Sequence, residues 1–195
     1  MICTMTTETM HSDVETSEPS FREIMLAVRR PEVLFNVPVH VCILIPTTSV
    51  IAYLATRLDT LFGWERFISW PLGLALFSIL FPLGVFIVWY TYGFLAIMGD
   101  GSPATHLGGT KNLVTTGVFS VCRHPSIIGK FLGVVGFGFL VGSPVFFFLI
   151  IPALTTYSLL AVRFLQEKLC VKLWGDDYLA YRKSTPLILP RLRKL

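Results

Sequence analysis

Arg123, His124 and Pro125 stand in a row, and Gln166 and Glu167 follow beyond a long apolar stretch. An arginine beside a histidine can grip a carboxylate, the guanidinium through a two-pronged fork and the imidazole as a second donor. Pro125 suits the first turn of a helix, where its missing N–H costs nothing, so Arg123 and His124 lie beside a helix N-terminus that favours an anion. Glu167 can accept from an ammonium or from sugar hydroxyls. A ligand with both an amine and a carboxylate, such as an amino-acid moiety, suits this set. A plainer use is also open: Arg123 and His124 facing lipid headgroups, with Glu167 paired to Arg163 one turn earlier. No metal-binding helix motif, nucleotide P-loop or G-x-S-x-G elbow is present. Cys3, Cys42, Cys122 and Cys170 form no C-x-x-C pair, so free thiols and no metal are expected.

The elements that must position these residues are apolar and long. Of the 195 residues 53% are apolar and 14% charged, against roughly 25% charged in soluble domains. No formal charge lies between Glu32 and Arg57, between Arg66 and Asp100, or between Lys130 and Arg163. A membrane-crossing helix takes about 20 such residues. The third run holds Gly142-Ser143-Pro144 at its centre, a turn signal, and divides into Pro125–Val141 and Val145–Val162. The second, with Pro82 and Gly84 inside it, is too short to divide and predicts one long helix. The expected fold is therefore an all-α integral membrane bundle of about four transmembrane spans. Arg29, Arg30 and the basic tail from Arg163 onward put both termini, and the loop from Gly99 to His124, on the cytoplasmic face. The same tail accounts for the net charge of +4 through anionic lipid, with no nucleic acid implied.

Residues 1–20 are polar and acidic without a signal-peptide core, and predict a disordered tail; residues 21–195 form one membrane domain. Ser20 and Glu23 have capping-box spacing, and Phe21, Ile24, Met25 and Val28 predict a short N-terminal helix on the membrane surface. Gly129-x-x-x-Gly133 permits close helix packing. The last helix is expected to run beyond the membrane as a cytoplasmic helical extension and to stop at Gly175. Asp176 and Asp177 then open a short helix carrying Tyr178 and Tyr181, with Arg182 and Lys183 near its end. His40, alone in the first span, is either a substrate contact or a hydrogen-bond partner of a neighbouring helix.

Leu113-Val114-Thr115-Thr116-Gly117-Val118-Phe119, followed by Arg123-His124-Pro125 and Gly129, resembles the signature L-V-x-x-G-x-[YF]-x-x-x-R-H-P-x-Y-x-G of the isoprenylcysteine carboxyl methyltransferase family and its phospholipid methyltransferase relatives. Gly99-x-Gly101-Ser102-Pro103 resembles the G-x-G-[ST]-P of bacterial members. Gln166-Glu167, then Trp174-Gly175-x-x-Tyr178-x-x-Tyr181 and Pro186, Pro190, is similar to E-E…F-G-x-x-Y-x-x-Y…P. The resemblance implies methyl transfer from S-adenosyl-L-methionine to a lipophilic acceptor, such as a prenylcysteine carboxylate, a phospholipid amine or a thiol, at the cytoplasmic face. It implies that Arg123 and His124 hold the carboxylate region of the cofactor, that Glu167 contacts the same cofactor, and that Gly117, Val118 and Phe119 border its adenosine. Tyr178 and Tyr181 would line the site or pack beside it. It also implies the endoplasmic reticulum of a eukaryote or the inner membrane of a bacterium. Two positions depart from the pattern: Ile127 replaces a tyrosine and Gln166 an acid. Glu167-x-x-Cys170 before Trp174-Gly175 is also similar to the sterol reductases of this fold, which use NADPH, and a non-catalytic binding or scaffold protein is the third alternative.

Overall fold

The computed structural model describes residues 18–34, 45–101 and 109–188. Among these, all regular elements are helices, and the single extended contact is an isolated bridge between Gly101 and Thr110. His40, Cys3 and Cys42 lie outside the described residues, as do Ser102, Pro103 and Pro190.

Helix α1 (Phe21–Ala27) begins at Ser20, whose hydroxyl accepts from the Glu23 N–H at 3.4 Å while the Glu23 carboxylate accepts from the Ser20 N–H at 2.7 Å. Both arms of the expected capping box are therefore present. Phe21, Arg22 and Leu26 are exposed, whereas Ile24, Ala27 and Val28 are buried. That buried side meets the end of a later helix so closely that a Cβ at Gly93 would stand 2.5 Å from the Ile24 carbonyl oxygen. Pro31 opens a short helix, α2 (Pro31–Leu34).

Of the first apolar run the structure describes α3 (Ile45–Phe62), which continues past Arg57. The second run is one uninterrupted helix of 29 residues, α4 (Trp70–Met98), with Pro82 inside it as expected. After the one-turn α5 (Val118–Val121) comes α6 (Pro125–Val141), whose bounds are those the sequence predicts. The chain then turns at Gly142 (φ 67°) into α7 (Phe146–Ser184). Helix α7 contains two π-helical turns, Phe146–Ile150 and Val162–Gln166. Helical dihedrals break at Gly175 (φ 52°, ψ −125°), where a stop is predicted. The chain continues as a helix that carries Tyr178 and Tyr181 and ends at Ser184, with Arg182 and Lys183 in its last turn.

Helices α4 and α6 make the central contact. A Cβ at Gly84 would lie 2.4 Å from the Gly129 carbonyl oxygen, and one at Gly129 would lie 2.6 Å from that of Gly84. The two backbones touch because neither residue has a side chain. Gly133 offers its own backbone to Gly84, while Gly136 packs on Leu80. At the α6–α7 turn, the Arg66 guanidinium donates to the Val141 and Leu140 carbonyls at 2.7 and 3.2 Å. The buried Asp59 carboxylate accepts from the Val145 N–H at 3.0 Å, and the Ser143 hydroxyl from the Phe146 N–H at 3.0 Å. The end of one helix and the start of the next are thus satisfied together by Asp59 within α3, Arg66 just after it, and Ser143 in the turn itself.

Among the described residues, α4 and α7 are long and apolar enough to cross a membrane. Their apolar windows are only 17% and 11% buried within the protein. That low burial separates them from the core helices of a soluble fold, which hide their apolar sides in protein.

Candidate functional site

The site is assembled where α5, the start of α6 and the far end of α7 converge. Gly117 sets the approach: at φ 55° it turns the chain into α5, and a Cβ there would strike the Phe94 ring at 2.4 Å. Its N–H donates to the Glu18 carboxylate at 3.0 Å. Phe119 is consequently buried against Ile24, Phe94 and Val114. The Tyr181 hydroxyl donates to the Phe119 carbonyl at 2.6 Å, which ties the end of α7 to α5. Next along the chain, the Arg123 and His124 N–H groups donate to the Pro186 and Leu187 carbonyls at 3.0 and 3.2 Å. Those two amides, which the sequence offers to an anion, are taken by the protein's own tail, and any electrostatic grip falls to the side chains.

Arg123 (7% exposed) and Glu167 (1% exposed) form a buried ion pair through Nη1 and Oε1. The second carboxylate oxygen faces the Arg182 Nε at 3.5 Å. The i,i+4 pairing of Glu167 with Arg163 is not formed: the carboxylate turns inward to the guanidinium across the fold. Two facts about α7 bring this about. The π-helical turn Val162–Gln166 adds a residue just before Glu167, and the break at Gly175 returns Arg182 toward it.

Beside the pair lies a cavity of about 380 Å³, walled by α4, α6, α7 and the segment from Gly109 to His124. That size is in the range of small-molecule sites. Phe119, Arg123, His124, Tyr178 and Tyr181 line it. Gly117 and Val118 do not; they shape the turn behind it. Glu167 stands behind Arg123, and its neighbour Gln166 is the one that faces the cavity. Ile127 lines the wall too, so both positions that depart from the family pattern are on the cavity itself. Toward the apolar helices the lining changes to Val134, Leu154 and Ser158.

Among the described residues four buried side-chain polar atoms have no hydrogen-bond partner: Arg123 Nε, His124 Nε2 and the Tyr178 hydroxyl, on residues that line the cavity, and Glu167 Oε2, which faces Arg182. Buried polar groups in a native fold are nearly always paired, so the three on cavity-lining residues are exceptions that cluster beside the cavity. Burial pushes the His124 imidazole down to about 4, and the Arg123 and Lys130 charges add to the effect, so it is neutral at physiological pH. Sequence reasoning missed Arg182, because the break at Gly175 that brings it back is not a signal of direction. It also missed Glu18, whose contact with Gly117 joins distant parts of the chain.

Long, little-buried apolar helices closing at one end over a mainly apolar cavity that Arg123 and His124 line are the architecture of a membrane protein. The chain belongs to the phospholipid methyltransferase family, which matches residues 72–177. It is 33% identical over 105 residues to the protein-S-isoprenylcysteine O-methyltransferase of Rattus norvegicus, covering 51% of this chain and 36% of that protein. The enzyme of the same name from Schizosaccharomyces pombe is 30% identical over 101 residues, 49% of this chain and 42% of the relative. The cobalt-zinc-cadmium resistance protein CzcN of Cupriavidus metallidurans is 32% identical over 108 residues, 50% of this chain and 45% of the relative. The chain thus spans less than half the length of these relatives. No solved structure matches it.

Proposed function

We propose that the protein is an S-adenosyl-L-methionine-dependent methyltransferase whose acceptor is lipophilic, first a prenylcysteine carboxylate and second a phospholipid amine. The observation that carries this is the cluster of unpartnered Arg123 Nε, His124 Nε2 and Tyr178 hydroxyl at the polar end of a cavity about 380 Å³ in size. The donor set suits that cofactor: a cation for its carboxylate, neutral donors for its polar groups, and the Phe119 and Trp174 rings for its base. When bound, the cofactor supplies an electrophilic methyl group whose leaving group departs neutral, so no strong acid is required.

Arg123 acts by holding the amino-acid end, and Glu167 fixes the guanidinium from behind, a positioning role. His124 and Tyr178 orient the remaining polar groups, and the surrounding walls exclude water. Val134 and Leu154 offer the acceptor an apolar approach from the side of the helices, so that its chain stays in lipid while its reactive end meets the polar cavity. This division fits a domain from residue 21 to the end with four spans, α3, α4, α6 and the first part of α7, and both termini cytoplasmic.

The test is calorimetric titration of the detergent-solubilised chain with S-adenosyl-L-methionine. Wild type is expected to bind, and Arg123→Ala to weaken binding about 10- to 100-fold, as loss of a charged hydrogen bond predicts. A labelled methyl group should then pass to farnesylcysteine in preference to phosphatidylethanolamine. A folded wild type that binds no cofactor overturns the proposal.

A further inference from the structure

A second recess lies on the next face of α7, lined by Arg163, Phe164, Glu167, Lys168, Val171 and Arg182, and it shares no lining residue with the cavity. Three cations and one carboxylate line it; the carboxylate faces Arg182 and is already engaged by Arg123 through its other oxygen. Arg163 and Lys168 form no ion pair among the described residues, and both are exposed. Arg163 is the first charged residue after the apolar run that ends at Val162, which sets the recess at headgroup depth if α7 crosses the bilayer. Its apolar side is formed by Phe164, 53% exposed, with Leu165 beside it at 68%. Uncompensated cations at the exit of an apolar helix, flanked by exposed apolar side chains, match the phosphate and upper chain of a lipid better than a free anion.

We propose that this recess is a binding site for the phosphate headgroup of an anionic phospholipid, separate from the cavity. Arg163 and Lys168 take the phosphate from outside, and Arg182 takes it from within. Because Arg182 also faces Glu167, a bound headgroup draws on the same residue that steadies the pair with Arg123. The proposal does not rest on methyl transfer, and the bound lipid is a ligand here, not the methyl acceptor.

The experiment is native mass spectrometry of the full chain in neutral detergent, titrated with short-chain phosphatidylglycerol and, separately, with phosphatidylcholine and inorganic phosphate. One phosphatidylglycerol per chain is expected, in preference to phosphatidylcholine. The double substitution Arg163→Ala with Lys168→Ala should weaken it about 30-fold, since each cation near an anionic lipid surface contributes about a factor of five. Both side chains are exposed and unpaired, so helix content by circular dichroism should be unchanged. The control pair Arg22→Ala with Arg29→Ala, exposed cations on another element, should leave binding as it is. Equal loss in that control would mean diffuse attraction of charge and overturn the site. So would equal binding of phosphatidylcholine, undiminished binding by the double variant, or inorganic phosphate competing at the concentration of the lipid.

Discussion

Glu167 is the residue through which the site is held. An almost wholly buried carboxylate would be costly alone, and removing one member of such a pair costs about 3–5 kcal/mol because the other is left uncompensated. The pair holds the Arg123 guanidinium by Nη1 and leaves its buried Nε without a hydrogen-bond partner. The sequence contained both residues and their chemistry, but spacing along a helix pointed to Arg163 as the partner. Spacing counts neighbours on one helix and cannot report a guanidinium arriving from another. His124 gives a pH dependence with a definite sign. The unfolded chain takes up a proton as pH falls through the ordinary value of 6.5, whereas the folded imidazole does not until about 4. Stability due to the neutral ring is therefore complete above 6.5 and is lost between 6.5 and 4. Melting temperatures measured from pH 7 to 4.5 should fall more steeply for wild type than for His124→Asn. Equal slopes would place the imidazole in water.

Among the elements, the apolar helices were the most legible, because length and absence of charge act over many residues at once. The bounds of α6 and the continuity of α4 through Pro82 follow from that, and so does the turn at Gly142. The role of α1 was less legible. Its periodicity points to an apolar face, and Ile24 and Val28 of that face pack on α4 and the α5 approach while Phe21 stays exposed. Ile24 supports Phe119 from behind, and Glu18 holds the Gly117 N–H, so an element outside the family match steadies the cavity wall. Glu18→Ala should weaken S-adenosyl-L-methionine binding about fivefold, the size of one net hydrogen bond. Calorimetry on that variant checks it, with the melting temperature nearly unchanged because the contact is exposed. Unaltered affinity would reduce the contact to local tethering.

For the whole molecule, orientation follows from charge. With Arg57 in the last turns of α3, Arg66 the one cation between α3 and α4, and many cations in the tail, the α3–α4 connection is expected outside the cytoplasm. In a cysteine-free background, a cysteine at Ser69 should react with an impermeant maleimide in intact cells, and one at Ser184 only after permeabilisation. The reverse pattern would invert the topology, and labelling of both from outside would remove a span. Patterning by itself determined that the chain is helical, apolar in long runs, and polar in two short clusters, because these are sums over local residues. Only the tertiary structure decided which polar atoms meet. The pairing of Arg123 with Glu167, the return of Arg182 past Gly175, and the use of the tail carbonyls on Arg123 and His124 depend on backbone breaks and close glycine contacts. Such contacts form between segments distant in the chain, where no periodicity records direction.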